Sequence, residues 1–194
     1  MIAGIILAAG ASRRMGSPKA LLEYRGETFL NRLIRVFSRF CDPVIVVGGL
    51  HADAIREHLG RNQMNRALLV VNPDPDRGQL SSLQTALAEV PDTASGFLFV
   101  PVDCPTVQES TVAGLIAEFR RQSPPFVIPR FEGKRGHPVC AARSTIAEFL
   151  ALPPTAETRA VVNLHADEIE YLEVEDPGVL ADIDNLEAYR KIAQ

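Results

Sequence analysis

Short apolar runs alternate along this chain with amphipathic stretches, and that alternation leaves few folds open. Ile2 to Ala9, "PVIVVGG" (43–49), "ALLVVN" (67–72), "GFLFVPVD" (96–103) and "PFVIPR" (125–130) are continuous in apolar character rather than alternating. They therefore read as strands, and the first suits one covered on both faces in a parallel sheet. Between them, "TFLNRLIRVFSRF", "HADAIREHL", "SSLQTALAEV" and "STVAGLIAEFRRQ" carry helical periodicity. The rhythm predicts an α/β fold of three layers, Rossmann-like, with a mainly parallel central sheet and helices on both faces. After Arg130, "FEGKRGHPVCAARSTIAEFL" predicts a turn, a strand and a helix, and Pro153 and Pro154 then break the chain. A last strand near residues 170–174 and a helix from Leu186 close the pattern.

With 194 residues, 46% of them hydrophobic and 23% charged, the chain can bury one good core. No internal repeat, low-complexity tract or linker divides it, so residues 1–194 are expected to form a single domain. A net charge of −4 argues against a general nucleic-acid surface. The first apolar run has no basic region ahead of it and soon gives way to a charged loop. Neither a signal peptide nor a membrane partner is expected, and the predicted location is the cytoplasm. Cys41, Cys104 and Cys140 are odd in number and lack metal-ligand spacing, which predicts reduced thiols that pack in the core.

The loop "GASRRMGSPK" follows the first strand, at the sheet edge where open α/β folds bind ligands. Its small residues let backbone N–H groups approach an anion, while Arg13, Arg14 and Lys19 add positive charge. A phosphate site is the reading this supports, against a plain solvated turn. A Walker A loop is excluded because Gly10 and Gly16 are one residue too far apart and Ser17-Pro18 precedes Lys19. The dinucleotide fingerprint is excluded too, since no second glycine follows Gly10 before Gly16.

Other positions carry two readings from the residues alone. Asp103, between Pro101 and Pro105 at a strand's carboxyl end, suits a Mg²⁺ ligand or a turn cap. Gly78, Ser81 and Ser82 precede a helical stretch near Leu83, where serines are natural caps. Asp184, in "LADIDNLEAY", stands where a helix N-cap would. His137, in "KRGHP", follows Lys134 and Arg135 in a turn suited to receive an anion, although a lone histidine is more often structural. His51, His58 and His165 read as surface residues.

Four stretches in order, "LAAGASRRMGSPKALL", "NPDPDRGQLSSLQTAL", "PVDCP" and "GKRGHPV" with the distant "DIDNLEAY", resemble the MobA-like NTP transferase family over nearly the whole chain. Within it, Leu-Ala-Ala-Gly at residues 7–10 looks most like the molybdenum cofactor cytidylyltransferases. The resemblance implies a nucleotidyltransferase fold, and a nucleotide held by Leu7, Ala8, Ala9, Gly10, Ala11, Ser12, Arg13, Arg14 and Lys19, with Gly78, Ser81 and Ser82 at its base and ribose. It implies Mg²⁺ on Asp103 and Asp184. It turns Arg135, Gly136, His137 and Pro138 toward a phosphorylated acceptor, which Arg159 in "PPTAETRAVV" would also reach.

The implied reaction is attack by an acceptor phosphate oxygen on the α-phosphorus of an NTP, with pyrophosphate leaving. Lys19, Arg14 and Asp103 would be its catalytic residues, Lys19 at the α-phosphate and Arg14 on the departing pyrophosphate. CTP is the expected donor, because a methyl at Ala9 narrows the space beside the base. The expected acceptor is molybdopterin, with a molybdoenzyme as a further partner. Rival readings are another phosphorylated acceptor, GTP as donor, or a non-catalytic module that delivers a cofactor.

Overall fold

The computed structural model describes residues 1–12, 16–62 and 67–192. In chain order its elements are β1 (Ile2–Ala8), β2 (Glu23–Tyr24), β3 (Glu27–Thr28), α1 (Phe29–Phe37), β4 (Val44–Gly48), α2 (Ala52–Arg61), β5 (Ala67–Val71) and α3 (Gln79–Leu87). There follow β6 (Gly96–Pro101), α4 (Glu109–Gln122), β7 (Phe126–Phe131), β8 (Lys134–Arg135), β9 (Val139–Ala142), α5 (Ile146–Ala151), α6 (Arg159–Leu164), β10 (Ile169–Glu173) and α7 (Leu186–Ile192). The expected α/β architecture is present.

The main sheet runs β10-β7-β9-β6-β1-β4-β5, with β8 paired to β7. Strand β1 is parallel to β4 on one side and to β6 on the other. The chain first builds outward from β1 through β4 to β5 and then crosses back to place β6 on β1's opposite flank. That reversal opens a crevice at the carboxyl ends of β1 and β6, where such sheets receive ligands. Alternate residues of β1 feed two cores. Ile2, Ile6 and Ala8 pack with α1, α2 and α4 residues such as Phe37, Ile55 and Leu115. Ala3, Ile5 and Leu7 pack with α3, α5 and α6 residues such as Leu83, Phe149 and Val161.

The antiparallel part of the sheet comes from the segment whose rhythm loosens after Arg130. Glu132 and Gly133, with φ of 48° and 76°, turn β7 back on itself, and β9 is antiparallel to both β7 and β6. Arg130 pairs with Arg135 and Val127 with Cys140. Residues 136–139 therefore face a stretch that β7 spans with Ile128 and Pro129 alone. Pro129 has no N–H to continue the ladder there, and the surplus residues bulge out of it.

Two elements carry no clear signal in the sequence. The β2–β3 hairpin turns on Arg25 and Gly26, both at positive φ, a primed turn without the usual Asn-Gly marker. Helix α6 buries only Val161, too little to print a period in "TRAVVNL". Helix α3 also starts earlier than expected, at Gln79, because Gly78 takes φ 109° and redirects the chain into it.

All three cysteines are free and buried. Burial raises each thiol, Cys41 to about 12 and Cys104 and Cys140 further. Among the described residues, no helix is long and apolar enough to cross a membrane. At pH 7.5 the native chain is expected to show almost no thiol reaction with a disulfide reagent, and the denatured chain to show three equivalents. Fast labelling of any cysteine in the native chain would contradict this packing.

Candidate active site

The loop after β1 is tied at its far end by Ser12. Its Oγ accepts the backbone N–H of Lys19 at 3.0 Å, and Ser12 itself takes a positive φ of 50°. This latch starts the 3₁₀ turn at Lys19–Leu21 and buries Ala20. The Lys19 side chain then extends to the mouth of the crevice. Arg13 and Arg14 lie outside the described residues.

Asp103 stands just beyond β6, whose last residue Pro101 is in register with Leu7. The Val102 N–H donates to the Leu7 carbonyl at 3.0 Å, which carries the β1–β6 pairing one step further. The carboxy-terminal segment returns here. Ile183 donates its N–H to the Asp103 carbonyl at 3.1 Å, and its side chain is buried in the α1–α4 core. Its neighbours Asp182 and Asp184 are thereby held beside Asp103. One oxygen from each of the three carboxylates can be chosen so that all lie within 4.8 Å of one another.

Lys19 Nζ donates to Asp103 Oδ2 at 3.1 Å and also to Asp184 Oδ1. Burial works to lower the Lys19 pKa, but the two carboxylates outweigh it and hold the ammonium above the ordinary lysine range. Asp182 is pushed up, first by burial and then by the charges of Asp103 and Asp184. Asn185 caps α7 through Oδ1, which accepts the Ala188 N–H at 2.9 Å, while Asp103 and Asp184 both accept from Lys19.

Three adjoining cavities meet at Asp103, which lines each of them. The first, about 100 Å³, is bounded by Ala8, Gly10, Ser12 and Lys19. The second, about 280 Å³, is bounded by Leu7, Ala9, Gly10, Gly78 and Ser82. The third, about 330 Å³, is bounded by Arg135, Gly136, His137, Asp182 and Asp184. Most of the residues chosen from sequence therefore converge. Ala11 turns its carbonyl to His51 Nε2 at 3.3 Å. Pro138 is buried and does not line the third cavity. Arg159 does not line that cavity: it opens α6, pairs with Glu157 and borders an adjoining hollow with Arg77 and Gln79.

Neither serine caps α3. Both lie inside its first turn, buried, with Ser81 Oγ donating to the Gly78 carbonyl at 2.8 Å. His137 is half-buried against Phe99, at 6.3 Å between ring centroids. Burial pushes its imidazole below the usual range, against the opposing charge of Asp103, and its Nδ1 is buried without a partner among the described residues. Arg135 lies over the Tyr171 ring at 5.0 Å.

Sequence reasoning missed His51, Gln79 and Asp182. His51 faces the loop after β1 rather than bulk solvent, and Gln79 lines both larger cavities. The Asp-Ile-Asp spacing was a usable signal for Asp182, since residues on either side of a buried one share the outer face of an extended segment.

Residues 4–169 match the MobA-like NTP transferase domain. The chain belongs to the MobA-like NTP transferase family. It is 29% identical over 180 residues to the molybdenum cofactor cytidylyltransferase of Escherichia coli (strain K12), covering 93% of this chain and 89% of that protein. It is 25% identical over 181 residues to a protein of Bacillus cereus (strain AH820) named as a probable molybdenum cofactor guanylyltransferase, covering 93% and 88%. Rv0371c from Mycobacterium tuberculosis H37Rv has a TM-score of 0.85 with this transferase at 29% identity, covering 99% of this chain and 96% of that one. The crystal structure of Rv0371c in complex with manganese gives 0.81 at 27% identity, covering 99% and 97%.

Gly136 sets the wall of the third cavity. A Cβ there would stand 2.4 Å from the Val179 carbonyl oxygen, the group that accepts the His137 N–H at 2.8 Å. Gly136→Ala is expected to break that contact and destabilise the transferase by about 1–3 kcal/mol. A denaturant midpoint equal to the wild-type value would show that the segments separate freely.

Proposed function

We propose that this transferase moves CMP from CTP to molybdopterin, with release of pyrophosphate and with Mg²⁺ as its metal. The observation that carries the reading is the Lys19 ammonium held between Asp103 and Asp184 where three cavities meet. A module that only delivered a cofactor would need no such cluster beside two further cavities.

The triphosphate lies along the loop after β1, near Lys19. The base lies in the cavity walled by Leu7, Ala9 and Pro101, where the Ala9 methyl favours a pyrimidine. The acceptor enters beside Arg135 and His137. Among the described residues Arg135 has no carboxylate partner, which leaves its guanidinium for an acceptor phosphate. That phosphate is ionised at neutral pH and needs no base. An acceptor oxygen forms the bond to the α-phosphorus, and the bond to the β-phosphate oxygen breaks as pyrophosphate takes the electron pair. Lys19 neutralises charge as it shifts.

The clustered carboxylate oxygens are hard donors and fit a hard divalent cation, which Asp103 and Asp184 would hold with Asp182 beside them. Such a cation supplies neutralising charge to the reacting phosphates. The manganese complex of Rv0371c supports a divalent ion here. The cytidylyltransferase relative supports the choice of base and acceptor.

Pyrophosphate release from each of the four common NTPs with molybdopterin is expected to favour CTP. A clear preference for GTP would overturn the choice of base and leave the reaction standing. Asp103→Asn is expected to keep the fold and to lose more than about a hundredfold in Mg²⁺-dependent turnover, more than the loss of an outer-shell group costs. Unchanged metal dependence would refute its role. Lys19→Ala is expected to lower kcat by about 10²-fold and to weaken nucleotide binding less, because its charge matters most in the transition state. A loss confined to KM would make Lys19 a docking charge alone.

A further inference from the structure

Asn72 follows β5 and is 4% exposed, and every polar atom of its side chain is engaged. Its Oδ1 accepts the backbone N–H of Asp74 at 3.0 Å. A backbone N–H can only donate, so this bond fixes which end of the amide is oxygen and turns the nitrogen the other way. Nδ2 then donates one hydrogen to Ser81 Oγ at 2.8 Å and the other to Ser82 Oγ at 3.0 Å. A serine hydroxyl that accepts from Asn72 must send its own proton elsewhere. Ser81 sends its proton to the Gly78 carbonyl. Among the described residues Ser82 has no acceptor, although it is only 4% exposed and lines the 280 Å³ cavity.

We propose that Asn72 is a positioning residue that makes the Ser82 hydroxyl a committed hydrogen-bond donor to an acceptor atom on the base of the bound nucleotide. This rests on reading that cavity as the nucleotide's. Its walls at Leu7, Ala9, Pro75 and Pro101 are apolar, as the faces of a planar base require, while Gln79 and Asp103 also line it, so a buried hydroxyl whose direction is fixed is informative about the base. A base that presents no acceptor opposite Ser82 leaves the proton unpaired in a desolvated site, and that loss discriminates more sharply than shape alone. Asn72 does not line the cavity and acts through Ser82.

The test is calorimetric binding of CTP and of inorganic triphosphate, each with Mg²⁺, to the full chain. Inorganic triphosphate has no base, so the ratio of the two affinities isolates base recognition from the phosphates. Ser82→Ala is expected to weaken CTP about tenfold, the worth of one hydrogen bond, with triphosphate unchanged. Asn72→Asp keeps the shape but can only accept, so the Ser82 proton turns back to it. The ratio is expected to fall by a similar factor. In the double variant no further fall is expected, because both changes remove the same bond.

Equal weakening of CTP and triphosphate by Asn72→Asp, or additive losses in the double variant, would overturn the proposal and leave the nucleotide cavity standing. Should Asn72→Asp fail to fold, Ser82→Ala decides: an unchanged ratio overturns the proposal, and a tenfold fall upholds Ser82 as the donor. A wild-type chain that binds triphosphate but gains nothing from the cytidine of CTP would overturn the reading of the cavity itself.

Discussion

One hydrogen bond ties the carboxy-terminal segment to the middle of the chain and makes a site. Ile183 donates to the Asp103 carbonyl, and its side chain is sunk in the core beside α1 and α4. Hydrophobic burial supplies the anchor and the backbone bond supplies the register. Asp182 and Asp184 are thereby held beside Asp103, although like charges repel. Lys19 offsets part of that repulsion, and the Ser12 latch holds Lys19 in place. Carboxylates separated by some eighty residues of chain are brought together by one apolar side chain between two acidic ones.

The sheet sets the stage for this. Reversal of strand order about β1 leaves the carboxyl ends of β1 and β6 open. The loop after β1 and the residues after β6 consequently face each other. Pro129 interrupts the ladder on the far side and lets residues 136–138 bulge toward the same crevice. Gly136 then admits the Val179 carbonyl, which no side chain would allow. Each wall of the site is thus a place where regular pairing stops for a local reason.

Much of this arrangement is legible in the amino-acid sequence. The apolar runs print directly as β1, β4, β6 and β7, because strands covered on both faces need continuous hydrophobicity, and as β5, whose Leu68 and Val71 are nonetheless exposed at the edge of the sheet. Lys19, Asp103 and Asp184 are readable because their chemistry is tied to strand ends and to motif order. The serines are harder. A serine near a helix start reads as a cap, and only the position of Asn72, nine and ten residues earlier in sequence, shows that these two serve another network. His51 reads as a surface group because its partner is a backbone carbonyl in the loop after β1, which leaves no mark in sequence. Helix α6 and the β2–β3 hairpin bury too little to announce themselves.

The charge pattern of the site explains an apparent contradiction in the whole chain. A protein with net charge −4 is proposed to gather a triphosphate and a phosphorylated acceptor, both strongly anionic. Among the described residues, three clustered aspartates outnumber Lys19, the ammonium that bridges two of them. Asp182 is pushed above the usual carboxylate range first by burial and then by the charges of its two neighbours. Such a cluster repels a bare triphosphate and attracts a divalent cation. The same excess therefore favours a nucleotide that arrives already paired with its metal, and Lys19 and Arg135 then act on what charge remains.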